Sequence, residues 1–190
     1  MKGEETYFDI ADRVRQIKLI LTDCDGVLTD GGVYYSAEGE ELKRFNIRDG
    51  MGVERLWKLA GIETGIITGE LSASVSKRAE KLAIFECHLG AKDKAATVRA
   101  ILERRRLVPP EVAYVGDDVN DLPAFALVGL TACPGDAFEA VKTAAHLVLA
   151  QPGGHGAFRE FAELILKWRT ASGLTPPDQL GNHRAIQAIS

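Results

Sequence analysis

Residues 19–32 read LILTDCDGVLTDGG, an apolar run that stops on two aspartates, Asp23 and Asp25, with one cysteine between them. A continuous apolar run following a helical pattern at 4–16 fits a strand buried on both faces of a parallel sheet. The predicted strand covers 17–23. In an extended segment residues i and i+2 face the same side, so Asp23 and Asp25 aim into one space and Cys24 points away. One aspartate after a strand is commonly a turn former or a helix cap. Two together need a further reason.

Outward from this strand the chain alternates. Helical periodicity at 50–60 leads to an apolar run at 62–68, a helix at 71–82 and a short strand at 84–88. A helix at 94–106 ends before Pro109 and Pro110, and 111–117 (EVAYVGD) is a third long strand. Shorter units follow: helix 121–127, strand 128–132, helix 136–142, strand 145–149 and helix 156–168. Strict alternation implies an α/β fold, a Rossmann-like parallel sheet sandwiched by helices with right-handed crossovers. Residues 31–50 (GGVYYSAEGEELKRFNIRDG) break the rhythm with two β-prone segments around SAEGEE. They predict a hairpin over about 31–46, projecting from the strand end where a cap domain would otherwise stand. The expected organisation is a single domain over 1–170 and a flexible Gly- and Pro-containing tail at 171–190.

Composition limits the function classes. With 46% apolar residues in 190, the chain is long enough for one well-filled core. A net charge of -4 argues against a nucleic-acid or anionic-membrane surface. The densest basic run, ERRR at 103–106, reads as the last turn of a helix, where cations are favoured. No apolar run approaches the roughly 18 residues of a membrane helix, and the opening MKGEETYFD lacks signal-peptide order. A cytoplasmic location is expected. Cys24, Cys87 and Cys133 form no close pair and an odd set, so they read as reduced thiols. His88, His146, His155 and His183 have no metal-ligand rhythm.

Ligands of open parallel sheets bind beyond the carboxyl ends of the strands. The first strand delivers Asp23 and Asp25 there, the second Thr68, Gly69 and Glu70, and the third Gly116, Asp117 and Asp118, followed by Asn120 and Asp121. The GAKDK loop adds Lys92 and Lys94. Carboxylates crowded at two strand ends raise one another's pKa values and cost stability unless a cation compensates. An all-oxygen set without His or Cys suits Mg²⁺, with Asp23, Asp25 and Asp117 as candidate ligands and Asp118 and Asp121 as candidates to support them. Thr68 either donates its hydroxyl to a phosphate or caps the next helix, whose first N–H groups, with Gly69, would make a phosphate seat. Lys94 reads as a counter-charge to phosphate, because a helix start disfavours a merely solvated cation. Such a set supports phosphoryl transfer to an aspartate: Asp23 as nucleophile, and Asp25 as the acid that protonates the leaving alcohol and then the base that activates water.

DCDGVLTDG, ITG, the lysine of KDK and GDDVND together resemble the four motifs of the haloacid dehalogenase superfamily of phosphohydrolases, in order and spacing, across nearly the whole chain. More narrowly, residues 25–56, SKRAEKL and GGHGAFREFAELIL are similar to the capless 3-deoxy-D-manno-octulosonate 8-phosphate (Kdo 8-phosphate) phosphatases and their relatives acting on nine-carbon ulosonate 9-phosphates. The resemblance implies Mg²⁺ dependence, Asp23 as nucleophile, Asp25 as acid and base, Thr68 and Lys94 at the phosphate, and Asp117 on the metal. It also implies a homotetramer whose hairpins join in a barrel, with a neighbouring subunit covering the active site and the tail reaching toward it. The product would be a free ulosonic acid for a bacterial surface glycan.

The chain departs from the pattern after ITG, where Kdo 8-phosphate phosphatases usually carry Arg and this sequence has Glu70. With Lys81 eleven residues on, sharing a face if both lie on one helix, it is similar to relatives hydrolysing 2-keto-3-deoxynononate 9-phosphate or N-acetylneuraminate 9-phosphate. Arg48 and Asp49 match a family motif bordering the substrate. A receiver-type signalling module also combines acids, Thr and Lys on a parallel sheet, but its phospho-acceptor lies on a strand apart from the paired acids. A catalytically silent assembly subunit is the third reading, disfavoured by the full set of motif residues.

Overall fold

The structure, a computed structural model, describes residues 10–171. Of the tail expected at 171–190, only Ala171 is described, as the last residue of the final helix; the rest of the tail and residues 4–9 of the helix read at 4–16 lie outside the described residues. Helix α1, through residue 16, leads into β1 (Leu19–Thr22). The hairpin strands β2 (Thr29–Ser36) and β3 (Gly39–Phe45) follow, then α2 (Ile47–Ala60), β4 (Glu63–Ile67), α3 (Ala73–Lys81), β5 (Glu86–His88), α4 (Lys94–Arg105), β6 (Val112–Val115), α5 (Leu122–Phe125), β7 (Leu130–Cys133), α6 (Glu139–Ala144), β8 (Leu147–Val148) and α7 (Ala157–Ala171). The six-stranded sheet runs β5-β4-β1-β6-β7-β8, all parallel, with the hairpin as a separate two-stranded sheet.

β1 lies between β4 and β6, Leu19–Thr22 pairing with 63–66 on one side and 112–115 on the other. Its residues alternate between two cores. Ile20 packs with Val53 and Leu56 of α2, Val75 of α3, and Phe158, Phe161 and Ile165 of α7. Leu19 and Leu21 pack on the opposite face with Val98 and Ile101 of α4, Phe125 of α5 and Val141 of α6. This double burial is why the strand is apolar without interruption. Truncating Phe158 or Phe161, both fully buried, to alanine costs about 3–5 kcal/mol.

Several boundaries differ from the sequence reading for local reasons. α2 begins at Ile47 rather than 50, because the Asn46 side chain accepts from the Arg48 N–H and caps it there. α3 begins at Ala73 rather than 71, with the Ser72 hydroxyl accepting from the Val75 N–H. The predicted helix at 121–127 is a 3₁₀ turn, Val119–Asp121, followed by the single-turn α5. α6 begins at Glu139 rather than 136, after a turn in which the Ala137 N–H donates to the Pro134 carbonyl. No helix among the described residues is long and apolar enough to cross a membrane.

Candidate active site

At the carboxyl ends of β1, β4 and β6 a cleft of about 190 Å³ is lined by Asp23, Asp25, Thr68, Gly69, Glu70, Lys94, Asp117, Asp118 and Asn120. The chain leaves the extended state at Asp23, so period-2 alternation is not what brings Asp25 to the same side. The N–H groups of Val27, Leu28 and Thr29 all donate to the Cys24 carbonyl, and this tight turn folds Asp25 back toward the cleft. Cys24 itself is buried in the core. Gly26 sits in the turn at φ +84°, and a Cβ there would lie 2.0 Å from Asp117 Oδ2. Glycine is therefore required both by the backbone and by the approach of the third strand's carboxylate.

Asp23, Asp117 and Asp121 offer carboxylate oxygens that all lie within 4.8 Å of one another. Their environments differ. Asp121 is fully buried and saturated: Oδ1 accepts from Lys94 Nζ at 2.7 Å and the Tyr114 hydroxyl at 2.9 Å, and Oδ2 from the Asp117 and Asp118 N–H groups at 3.0 and 3.3 Å. It braces the 116–121 loop and the lysine. Asp117 Oδ1 is buried with no hydrogen-bond donor among the described residues. Burial, then the charge of Asp121, pushes the Asp23 carboxyl up to about 7, although Lys94 Nζ lies 3.0 Å away. Burial, then the charges of Asp23 and Asp121, pushes Asp117 up to about 8. Lys94 is itself buried, and burial works to lower its ammonium. Asp23 and Asp121 outweigh that and hold it above the usual lysine range.

An orphaned buried carboxylate oxygen and two acids resisting ionisation are what a divalent cation would relieve, and oxygen donors suit Mg²⁺. Asp23 and Asp117 fit as its ligands. The Asp25 carboxylate, expected among them, is engaged elsewhere: Oδ2 accepts from Lys43 Nζ at 2.6 Å and Oδ1 from the Thr29 hydroxyl at 3.3 Å. Asp118, exposed at the cleft edge, accepts from the Val119 N–H at 2.6 Å.

Thr68 is buried, and its hydroxyl oxygen accepts from the Glu70 N–H at 3.2 Å, closing a turn rather than capping a helix. Because α3 starts at Ala73 and its first residues do not line the cleft, the expected seat of helix N–H groups is absent. Thr68, Gly69 and Lys94, the groups expected at a phosphate, do line the cleft together. Glu70 stands exposed at the cleft mouth, with Lys92 Nζ at 3.4 Å. It is not on α3, so it does not share a helix face with Lys81, which is exposed in that helix's last turn and does not line the cleft.

Arg48 is exposed in the first turn of α2, outside the cleft lining. Asp49 is buried and accepts from the Arg159 N–H at 2.8 Å, fastening the start of α7, and burial raises its carboxyl. Lys43 was not singled out by sequence reasoning. Strand alternation in GEELKRF could have assigned it the inner face with Phe45, but not its partner, which depends on the turn at 24–28.

The haloacid dehalogenase-like hydrolase family model matches residues 43–129. The 3-deoxy-D-manno-octulosonate 8-phosphate phosphatase of Yersinia pestis is 39% identical over 171 residues, 88% of this chain and 91% of that protein. The cobalt-bound form of the Haemophilus influenzae phosphatase superposes with a TM-score of 0.81 at 38% identity, covering 85% of this chain and 94% of the other. The Moraxella catarrhalis phosphatase, solved in complex with magnesium, phosphate and KDO, gives 0.80 at 34% identity, covering 90% and 97%.

Proposed function

We propose, from the premise that this chain belongs to the 3-deoxy-D-manno-octulosonate 8-phosphate phosphatase family of haloacid dehalogenase-like hydrolases, that it is a Mg²⁺-dependent phosphatase converting Kdo 8-phosphate to Kdo and phosphate. The observation that carries the reading is the cleft itself, where an acid pair, an orphaned carboxylate, a hydroxyl and a buried lysine line one pocket. When bound, Mg²⁺ would be held by Asp23 and Asp117 and would neutralise charge on the phosphoryl group.

In this reading the Asp23 carboxylate attacks phosphorus, the bond from phosphorus to the sugar oxygen breaks, and Asp25 gives that oxygen a proton. Water then attacks the phosphorus of the aspartyl-phosphate, Asp25 takes the water's proton, and Asp23 is regenerated as inorganic phosphate leaves. Lys94, Thr68 and Gly69 orient the phosphoryl oxygens. Asp121 keeps Lys94 in place.

The hairpin supports a homotetramer. Tyr34, Tyr35 and Leu42 are exposed on it, and a two-stranded ribbon of this kind is marginal alone in water. Packing against neighbouring copies would cover these side chains and close the cleft without a cap domain. Three free thiols, two of them buried, fit a cytoplasmic setting.

Glu70 at the cleft mouth favours a second reading, in which the substrate is 2-keto-3-deoxynononate 9-phosphate or N-acetylneuraminate 9-phosphate. Parallel kcat/KM measurements of phosphate release from the three substrates with Mg²⁺ decide between them. The proposal expects Kdo 8-phosphate to lead. A nine-carbon leader transfers the assignment, and turnover of none overturns both readings.

A further inference from the structure

We infer that Lys43 is a positioning residue for Asp25, so that the hairpin acts on proton transfer as well as on covering the cleft. This rests on the reading of Asp25 as the acid and base of a phosphatase.

Lys43 lies on β3 opposite Val33 of β2. Its side chain is wholly removed from solvent, and Nζ contacts Asp25 Oδ2 at 2.6 Å and Glu40 Oε2 at 3.4 Å. The other Glu40 oxygen accepts from the hydroxyl of Ser72, the cap of α3. The ammonium is therefore fixed from two sides. Burial works to lower it, while Asp25, then Glu40, hold it above the usual lysine range, so it remains a cation.

Burying a flexible ammonium loses side-chain entropy and hydration. A lysine that served only to tether the hairpin could stay at the solvent edge, as Arg44 does when it pairs with Asp30 at 2.7 Å. Lys43 instead reaches the acid at the cleft. It occupies one oxygen of Asp25 and leaves the other on a long bond of 3.3 Å to Thr29, itself the first residue of β2. A carboxylate gripped at Oδ2 and weakly held at Oδ1 has its orientation fixed and one oxygen free to exchange a proton with the alcohol or the water. Both groups that orient Asp25 come from the hairpin, so docking of the hairpin is coupled to the chemistry.

The test compares wild type, Lys43→Met, Lys43→Arg, Asp25→Asn and the Lys43→Met/Asp25→Asn double variant. The readouts are kcat/KM for Kdo 8-phosphate and a Mg²⁺-loaded crystal structure of Lys43→Met. Positioning predicts a loss of roughly 100-fold in Lys43→Met, mainly in kcat with KM little changed, and partial rescue by Lys43→Arg. It also predicts no further loss when Lys43→Met is added to Asp25→Asn. In the crystal the Asp25 side chain should leave its present orientation. Multiplying losses in the double variant, or an Asp25 unmoved in the Lys43→Met crystal, would overturn the inference. A wild type inactive on all three ulosonate phosphates sinks the functional reading instead, and the crystal then decides the inference alone.

Discussion

Replacing Asp117 by asparagine should stabilise the metal-free protein. In the fold its carboxyl is pushed up to about 8 by burial and by the charges of Asp23 and Asp121, against about 3.9 in an unfolded chain. The folded state thus retains a proton that the unfolded state releases. Its stabilising contribution is full below pH ~4 and is lost as pH rises toward ~8. Near neutral pH the loss would be about 4 kcal/mol for an isolated group. Linked titration with Asp23 and the open side of the cleft reduce the share at this position to about 2 kcal/mol. Asparagine carries no such burden, so in EDTA near pH ~8 the variant should melt about 4–8 °C above wild type. Near pH ~5 the gap should shrink to under half. Mg²⁺ should raise the melting temperature of wild type and move the variant much less. Scanning calorimetry at both pH values with and without Mg²⁺ gives the comparison. A variant no more stable than wild type in EDTA at the higher pH would refute the argument from charge crowding.

Lys94→Met leaves Asp23 and Asp121 buried without the ammonium between them, and should cost about 3–5 kcal/mol, read as a lower urea midpoint. An unchanged midpoint would mean that the lysine is not a structural counter-charge. Substituting Tyr35→Ser with Leu42→Glu on the hairpin should reduce the mass measured by light scattering from that of the proposed tetramer, with far-ultraviolet circular dichroism retained. An undiminished mass would place the assembly surface elsewhere.

The presence and parallel direction of the central strands were legible because burial on both faces of β1, β4 and β6 makes each an apolar run between helical patterns. The hairpin was legible from its two β-prone segments, although it extends from Thr29 to Phe45. Helix starts were less so, since a single side chain such as Asn46 or Ser72 moves the boundary by two or three residues. At the cleft, position just beyond the strand ends was enough to group Asp23, Asp25, Thr68 and Asp117, and the loop leading into α4 added Lys94, although the turn that folds Asp25 inward was not foreseen. Partners set by tertiary packing were not legible: Tyr114 on Asp121, the grip of Lys43 on Asp25, and the attachment of Asp49 to α7 rather than to the cleft. Lys81 illustrates the same limit, because helical spacing from Glu70 has no meaning where the chain between them is not yet helix.

The central claim is that Asp23 carries the phosphoryl group between substrate and water. It is tested most directly by mixing enzyme with Kdo 8-phosphate and Mg²⁺ in single turnover, quenching in acid and reducing with borohydride, which converts an aspartyl-phosphate to homoserine. Peptide mass spectrometry should find homoserine at position 23 and nowhere else, only when substrate is present. Homoserine at Asp25 or Asp117, or turnover with none formed at all, would contradict the account.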